Sequence, residues 1–245
     1  MRLVPPMVIP IDFLRIAANG TEQFADVLES ADLGAPVPSC PGWTVVDLAD
    51  HVGGVHQWAT HAIVVGNAGG KPTAAPRDRD GLVAWYRESA TGLLRALRER
   101  PDDAPAWHFG PGPQVSGWWK RRQAHEITMH RWDLHQALGR ENRIDPALAA
   151  DGVDEVRRIF FPRQVRLERM PPLTQSLAVV VAETGQEFVF SGDGTTDEPA
   201  DATVTGPAEA LYLALWHRIS PDDPCLEITG EVEVVRSVLG AQVTA

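Results

Sequence analysis

Cysteine is scarce in this chain. Cys40 and Cys225 are the two thiols in 245 residues, too few for a disulfide framework, and this absence reads as a reducing compartment, the cytoplasm. Positive charge is also short. Lys and Arg number 22 against 33 Asp and Glu, a formal net charge of −11, which argues against nucleic acid or an anionic membrane as the main partner. No apolar run approaches the ~18 residues needed to cross a bilayer. The opening stretch "MRLVPPMVIPIDFLRI" is broken by prolines and lacks a small-residue cleavage site, so no signal peptide is expected. No repeat recurs at a fixed period. What is present, 44% hydrophobic and 22% charged residues, is an ordinary globular mix, long enough for one large domain or two small ones.

Helical spacing of apolar residues dominates the first half. Ile11 to Ser30 reads as a helix weakened by Asn19-Gly20. "TVVDLADHVGGVHQWATHAIVV" is a second, with Thr44 and Asp47 placed as an acidic capping box. "GNAGGKPTAAPRDRD" reads as a long mobile loop. "GLVAWYRESATGLLRALRER" is a third helix stopped by Pro101, and Ser116 to Leu138 a fourth, with Gly139 in the place of a C′ glycine. Four such helices predict a four-helix bundle. The pattern then changes. A short helix over Pro146 to Phe161 precedes strands at Ser176 to Ala182, Glu187 to Phe190, "ADATVTG" and "CLEITG", with helices at "GPAEALYLALWHRIS" and "EVEVVRSVLGAQ". The expected fold class is therefore multi-domain, α plus α/β: a helical domain over 1–150 and a small α/β domain over 151–245.

The chemistry concentrates in "RRQAHEITMHRWDLHQALG". Glu126 and His130, at i and i+4, converge on one point of the fourth helix. His125 and His135 each lie five residues from His130, about 140° round the helix, so neither shares an ion with it. The stretch is thus not the HExxH zincin motif. The Glu126–His130 stripe is expected to face the bundle interior, with His125 largely elsewhere. On the second helix His51 shares the apolar stripe, next to Gly53-Gly54, while His56 and His61 fall off it. His51, Glu126 and His130 give two imidazoles and a carboxylate, a set suited to a catalytic divalent metal, zinc first, with Fe²⁺, Mn²⁺ or Ni²⁺ less specifically indicated. Read without the metal, an inward histidine is a hydrogen-bonded core residue and the Glu–His pair a plain i,i+4 contact.

These motifs carry a resemblance. "CPGWTVVDLADHVGGVHQW" and "RRQAHEITMHRWDLHQALG" resemble the second- and fourth-helix signatures of the mycothiol-dependent maleylpyruvate isomerase family, within the DinB-like bundle superfamily. "ADATVTGPAEALYLALWHRI" and "LEITGEVEVVRSVL" look like that family's small α/β domain, similar to sterol-carrier folds. The resemblance implies that His51, Glu126 and His130 hold a divalent metal, zinc, and that mycothiol serves as cosubstrate. A catalytic arginine is also implied, with Arg87 and Arg131 as candidates. Asp133 matches the fourth-helix aspartate and would steady the site. The implied activity is that of a thiol transferase or isomerase: a metal stabilises the thiolate, which adds to an activated alkene or displaces a leaving group from a small electrophilic metabolite. The alternatives are a metal-dependent hydrolase on the same scaffold and a non-catalytic metal- or ligand-binding module. The expected partners are the small-molecule electrophile and the low-molecular-weight thiol, for a monomer or homodimer.

Other features read more plainly. Cys40 is taken as a small turn residue, because nothing near it in sequence supplies a base. Trp43, Trp58, Trp118, Trp119 and Trp132 are taken as packing residues before pocket walls. "WHFGPGPQVSGWWK" is a candidate loop over the metal mouth, with His108 as a conceivable fourth ligand. "SGDGTTDEP" is read as a turn, since its spacing does not suit an EF-hand.

Overall fold

Local sequence rules set the first four helices. The computed structural model describes residues 10–193 and 200–244. Met1 to Ile9 and most of the "SGDGTTDEP" turn therefore lie outside the described residues, along with the expectations placed on them. The long helices are α1 (Phe13–Leu28), α2 (Val45–Val65), α3 (Arg79–Glu99) and α4 (Gly117–Ala137). At the start of α2 the Asp47 carboxylate accepts from both the backbone N–H and the hydroxyl of Thr44, the expected capping box. Asp12 and Asp78 cap α1 and α3. Gly139 stands at φ 63° beyond α4, where a left-handed residue closes a helix at little cost. Asn19-Gly20 does not interrupt α1. A Cβ on Gly20 would sit 2.8 Å from Ile127, so the glycine lets α1 approach α4 closely.

The α2–α3 connection departs from the expected mobile loop. Thr73 and Ala75 donate their backbone N–H groups to Gln57 and Asp50 of α2, so side chains of α2 fasten its second half.

The second region begins at α5 (Pro146–Glu155) and continues through a π turn (Val156–Phe160) into α6 (Phe161–Arg166). One continuous helix was expected here. The remaining elements are β1 (Leu173–Val181), β2 (Glu187–Gly192), β3 (Ala202–Gly206), α7 (Ala208–Leu215), β4 (Glu227–Gly230) and α8 (Val232–Gly240). The mixed sheet has the order β2-β1-β3-β4. β1 runs antiparallel to β2 and parallel to β3, and β4 is antiparallel to β3. Alternation sets its buried face: Leu177, Val179 and Val181 of β1 and Ala202 and Val204 of β3 are buried, and α7 and α8 pack against those strands.

The two regions meet at α4. Met129 and Trp132 join the apolar cluster of the α5–α8 region, whereas Ile127 and Leu134 join that of α1–α3. Helix α4 is covered on two sides, so it lacks the single apolar stripe of a surface helix. This explains why His125 is fully buried, contrary to its expected place away from the interior. Its Nε2 lies 2.7 Å from Asp151 and its Nδ1 3.3 Å from the Tyr212 hydroxyl. Among the described residues no helix is long and apolar enough to cross a membrane.

Candidate functional site

Helices α2 and α4 bring His51, Glu126 and His130 together. Glu126 Oε1 lies 3.5 Å from His51 Nε2 and 3.3 Å from His130 Nε2, and the three ligand atoms all fall within 4.8 Å of one another. The imidazole rings stand edge-to-face, 4.9 Å between centroids. His51 was expected to point into a core. Its side chain instead keeps 37% exposure because it faces a cavity.

The groups around the triad hold it in place. His130 Nδ1 lies 2.9 Å from Asp133 Oδ2, which fixes the ring and directs Nε2 toward Glu126. Burial opposes a charge on His130, but the Glu126 carboxylate, with help from Asp133, lifts its pKa to about 9. Burial likewise opposes ionisation of Glu126. His130, then hydrogen bonding to His51 and the charge of Arg122, hold that carboxyl well below the usual range. Negative potential that grips a proton so firmly is also what a cation requires.

Asp133 is fully buried and accepts three hydrogen bonds from two residues besides its contact with His130. Ser39 Oγ donates to it at 2.5 Å, and Arg218 donates through Nε at 3.0 Å and Nη2 at 2.7 Å. Burial works against its charge, yet His130 and Arg218 bring its pKa to about 2. Arg218 reaches this point by a local device. Helix α7 ends at Leu215 rather than running to Ser220, and His217 takes φ 59°. The Arg218 N–H bonds to the Leu213 carbonyl and the His217 N–H to that of Ala214, a Schellman closure with histidine where glycine is usual.

The triad opens on a cavity of about 550 Å³ between the two regions. Its walls include Trp43, Trp58, Trp119, Phe109, Phe160 and Trp216, with polar groups from Cys40, Gln123, Arg122, Arg163 and Arg218. Three of the five tryptophans noted in the sequence thus face this space. Trp118 stacks on His108, and Trp132 belongs to the apolar cluster of the second region. Phe109 brings the 107–116 segment, the part of the expected loop that precedes α4, to the cavity. His108 does not join the triad: it is buried against Trp118, with Nε2 2.7 Å from the Pro113 carbonyl.

Both candidate arginines lie away from this cavity. Arg87 pairs with Asp26 and Glu29 at 2.7 Å each, and Arg131 pairs with Gln23. Arg131 is thus engaged with α1, and Arg87 with α1 and the residue that follows it. Arg218 and Arg122 occupy the site instead. Arg122 is buried, donates to Glu126 Oε2 at 2.8 Å and pairs with Glu155. Its position four residues before Glu126 was a usable signal. Arg218 had none, being separated from Asp133 by 85 residues.

Two other residues depart from expectation. Cys40 lines the cavity, its sulfur 4.0 Å from Asp133 Oδ2 and 3.9 Å from Arg218 Nη2. Burial and then the Asp133 charge push this thiol's pKa up, against the lowering effect of Arg218. His56, expected off the α2 stripe, is fully buried, and neither ring nitrogen has a partner among the described residues. Burial drives its pKa down to about 4.

Comparison with known proteins agrees with this architecture. No curated protein matches the sequence. A crystal structure of the mycothiol-dependent maleylpyruvate isomerase aligns over 91% of this chain and 95% of its own, with a TM-score of 0.64 and 16% identity. A histidine-to-alanine mutant of that enzyme aligns over the same shares, with a TM-score of 0.65 and 16% identity. At that identity the likeness is one of fold. The sequence itself matches two family descriptions, "Mycothiol maleylpyruvate isomerase N-terminal domain" over residues 14–135 and "MDMPI C-terminal domain" over residues 147–237. The chain belongs to the mycothiol maleylpyruvate isomerase family.

Proposed function

We propose that this protein is a metal-dependent, thiol-using enzyme, with mycothiol as cosubstrate and a small electrophilic metabolite as second substrate, catalysing S-transfer or cis–trans isomerisation in the cytoplasm. The observation that carries the reading is the convergence of His51, Glu126 and His130 at the floor of a cavity. We take α1–α4, within residues 1–150, as the DinB-like four-helix bundle that carries the site, and residues 151–245 as a small α/β domain resembling a sterol-carrier fold.

The residues present fit a divalent cation. Two imidazole nitrogens and one carboxylate oxygen form a donor set suited to zinc with open positions, and Asp133 orients one imidazole from behind. A cation held there supplies Lewis acidity that lowers the pKa of a thiol. The protein's own groups do the rest. Arg122 ties up Glu126 Oε2 and leaves Oε1 facing the two histidines. Arg218, fixed by Asp133 and by the Trp216 carbonyl, stabilises negative charge developing on the electrophile as sulfur adds. Trp43, Trp58 and Trp119 give the cavity an apolar lining against which a sugar-bearing thiol packs. Addition of sulfur to an activated double bond, rotation about the resulting single bond and loss of the thiol give isomerisation. Displacement of a leaving group by the same sulfur gives S-transfer.

The test is metal analysis and thiol turnover of wild type, His51→Ala and Glu126→Ala. One equivalent of metal and mycothiol-dependent turnover are expected in wild type, with loss of both in each variant. Full metal retention in both variants overturns the assignment. Thermal stabilisation by zinc that mycothiol does not increase moves the reading toward a metal-dependent hydrolase.

A further inference from the structure

A second cavity lies against the opposite face of α4. Thr128 and Arg131 line it, whereas Glu126 and His130 line the triad's cavity, and the two cavities share no residue. Its volume is about 460 Å³. Ile16 of α1, with the buried Ile144 and Leu148, forms an apolar part. Three arginines from separate stretches line it too: Arg15 of α1, Arg131 of α4 and Arg143 of the connector into α5. We propose that this cavity binds a phosphate monoester with a compact apolar body, its phosphate held by the three guanidinium groups and its body by Ile16, Ile144 and Leu148. The proposal uses no residue of the triad's cavity and stands apart from the thiol-enzyme reading above.

The charge of Arg131 is uncompensated. No carboxylate lies within ion-pair distance of it among the described residues. The Gln23 amide is its side-chain partner, and its buried Nε has none. A partly buried guanidinium without an acid is costly, and an anionic ligand offsets that cost. Arg15 and Arg143 meet acids only at 3.7 Å from Asp12 and 3.5 Å from Glu209. The two carboxylates of the lining, Asp12 and Asp145, are engaged at helix starts. Asp12 accepts from the Arg15 N–H, and Asp145 from those of Ala147 and Leu148. Three positive charges thus face two negative ones in a chain of net charge −11. A local excess of that sign draws a small anion.

Phosphate fits the arrangement better than carboxylate. A carboxylate offers two oxygens in one plane, matched by a single guanidinium fork. A phosphate monoester offers three oxygens around a tetrahedron, so donors arriving from α1, α4 and the connector each find one. The apolar part of the lining favours an ester over the bare ion, since it buries the organic group beside the polar contacts that orient it.

The probes are phenyl phosphate, inorganic phosphate and phenol, titrated calorimetrically into the protein as purified. Phenyl phosphate is expected to bind about tenfold tighter than inorganic phosphate, because it alone fills the apolar part, and phenol to give no measurable binding. Arg131→Gln weakens phenyl phosphate by about tenfold or more. Arg143→Gln, at a side chain 84% exposed, weakens it several-fold and tests the site should Arg131→Gln fail to fold. His51→Ala, which alters the triad, leaves the affinity unchanged. Equal affinity in wild type and both arginine variants overturns the site, as does a wild type that binds no phenyl phosphate. Binding lost in His51→Ala also overturns it, since the anion then sits at the triad. Inorganic phosphate binding as tightly as phenyl phosphate overturns the monoester assignment.

Discussion

Arg122 Nη2 lies 2.8 Å from Glu126 Oε2, while the other arm of the same guanidinium pairs with Glu155 at the end of α5. One buried cation thus joins a carboxylate of the first region to a carboxylate of the second. The triad's geometry therefore depends on how α5 packs against α4.

Arg122→Met tests that dependence. Glu155 is fully buried and its Oε1 has no partner among the described residues. Removing Arg122 leaves a buried carboxylate without compensation, expected to destabilise the protein by about 3–5 kcal/mol. The double variant Arg122→Met with Glu155→Gln should recover a large part of that loss. Urea unfolding of the set measures it, and a double variant no more stable than the single refutes the coupling.

Asp133→Asn should leave the fold intact and loosen the triad. The replacement keeps the volume but removes the charge that orients His130 and fixes Arg218. Metal affinity is expected to fall about 10–100-fold, read by competition with a chelator. Unaltered affinity would show that Asp133 serves Arg218 alone.

Stability should decline on the acid side of neutrality through His56. Its pKa falls from 6.5 unfolded to about 4 folded, first because of burial. Between those values the unfolded chain binds the proton and the folded one does not, so stability rises with pH across this window and is lost as pH falls through it. The fully developed loss is about 3 kcal/mol. His56→Gln should flatten the slope of unfolding free energy between pH 6.5 and 4, measured by denaturant titration at several pH values. An unchanged slope would assign the acid sensitivity to other groups.

Gly53→Ala probes the close approach of α2 and α3. A Cβ there would stand 2.2 Å from Trp85 Cζ3, so the indole must shift. The expected cost is about 1–3 kcal/mol, visible as a lower thermal midpoint. Gly54→Ala, whose Cβ would meet Pro72 at an ordinary 3.5 Å, serves as the control and should change little.

Helix starts and stops were legible in the chain because they depend on neighbours in sequence: Thr44 with Asp47, Pro101 after α3, Gly139 after α4. The pairing of Glu126 with His130 was legible for the same reason, since helical geometry alone sets an i,i+4 contact. Which partner covers each helix face was not. His125 and His56 were placed away from the interior because a single stripe was assumed, whereas α4 is enclosed from two sides and α2 buries His56 as well. The π turn within the expected Pro146–Phe161 helix left no pattern that periodicity reads.

The sequence by itself determined the identity and order of the elements and the donor types available for a cation, because those follow from short-range spacing. Tertiary structure decided which charges meet. Arg87 and Arg131 turn to α1, while Arg218 arrives at Asp133 across 85 residues through a histidine in a left-handed turn, and Cys40 and Arg163 come to one cavity from opposite halves of the chain. The physical reason is that long-range ion pairs form only where packing removes water and fixes distance, and no local pattern records that outcome.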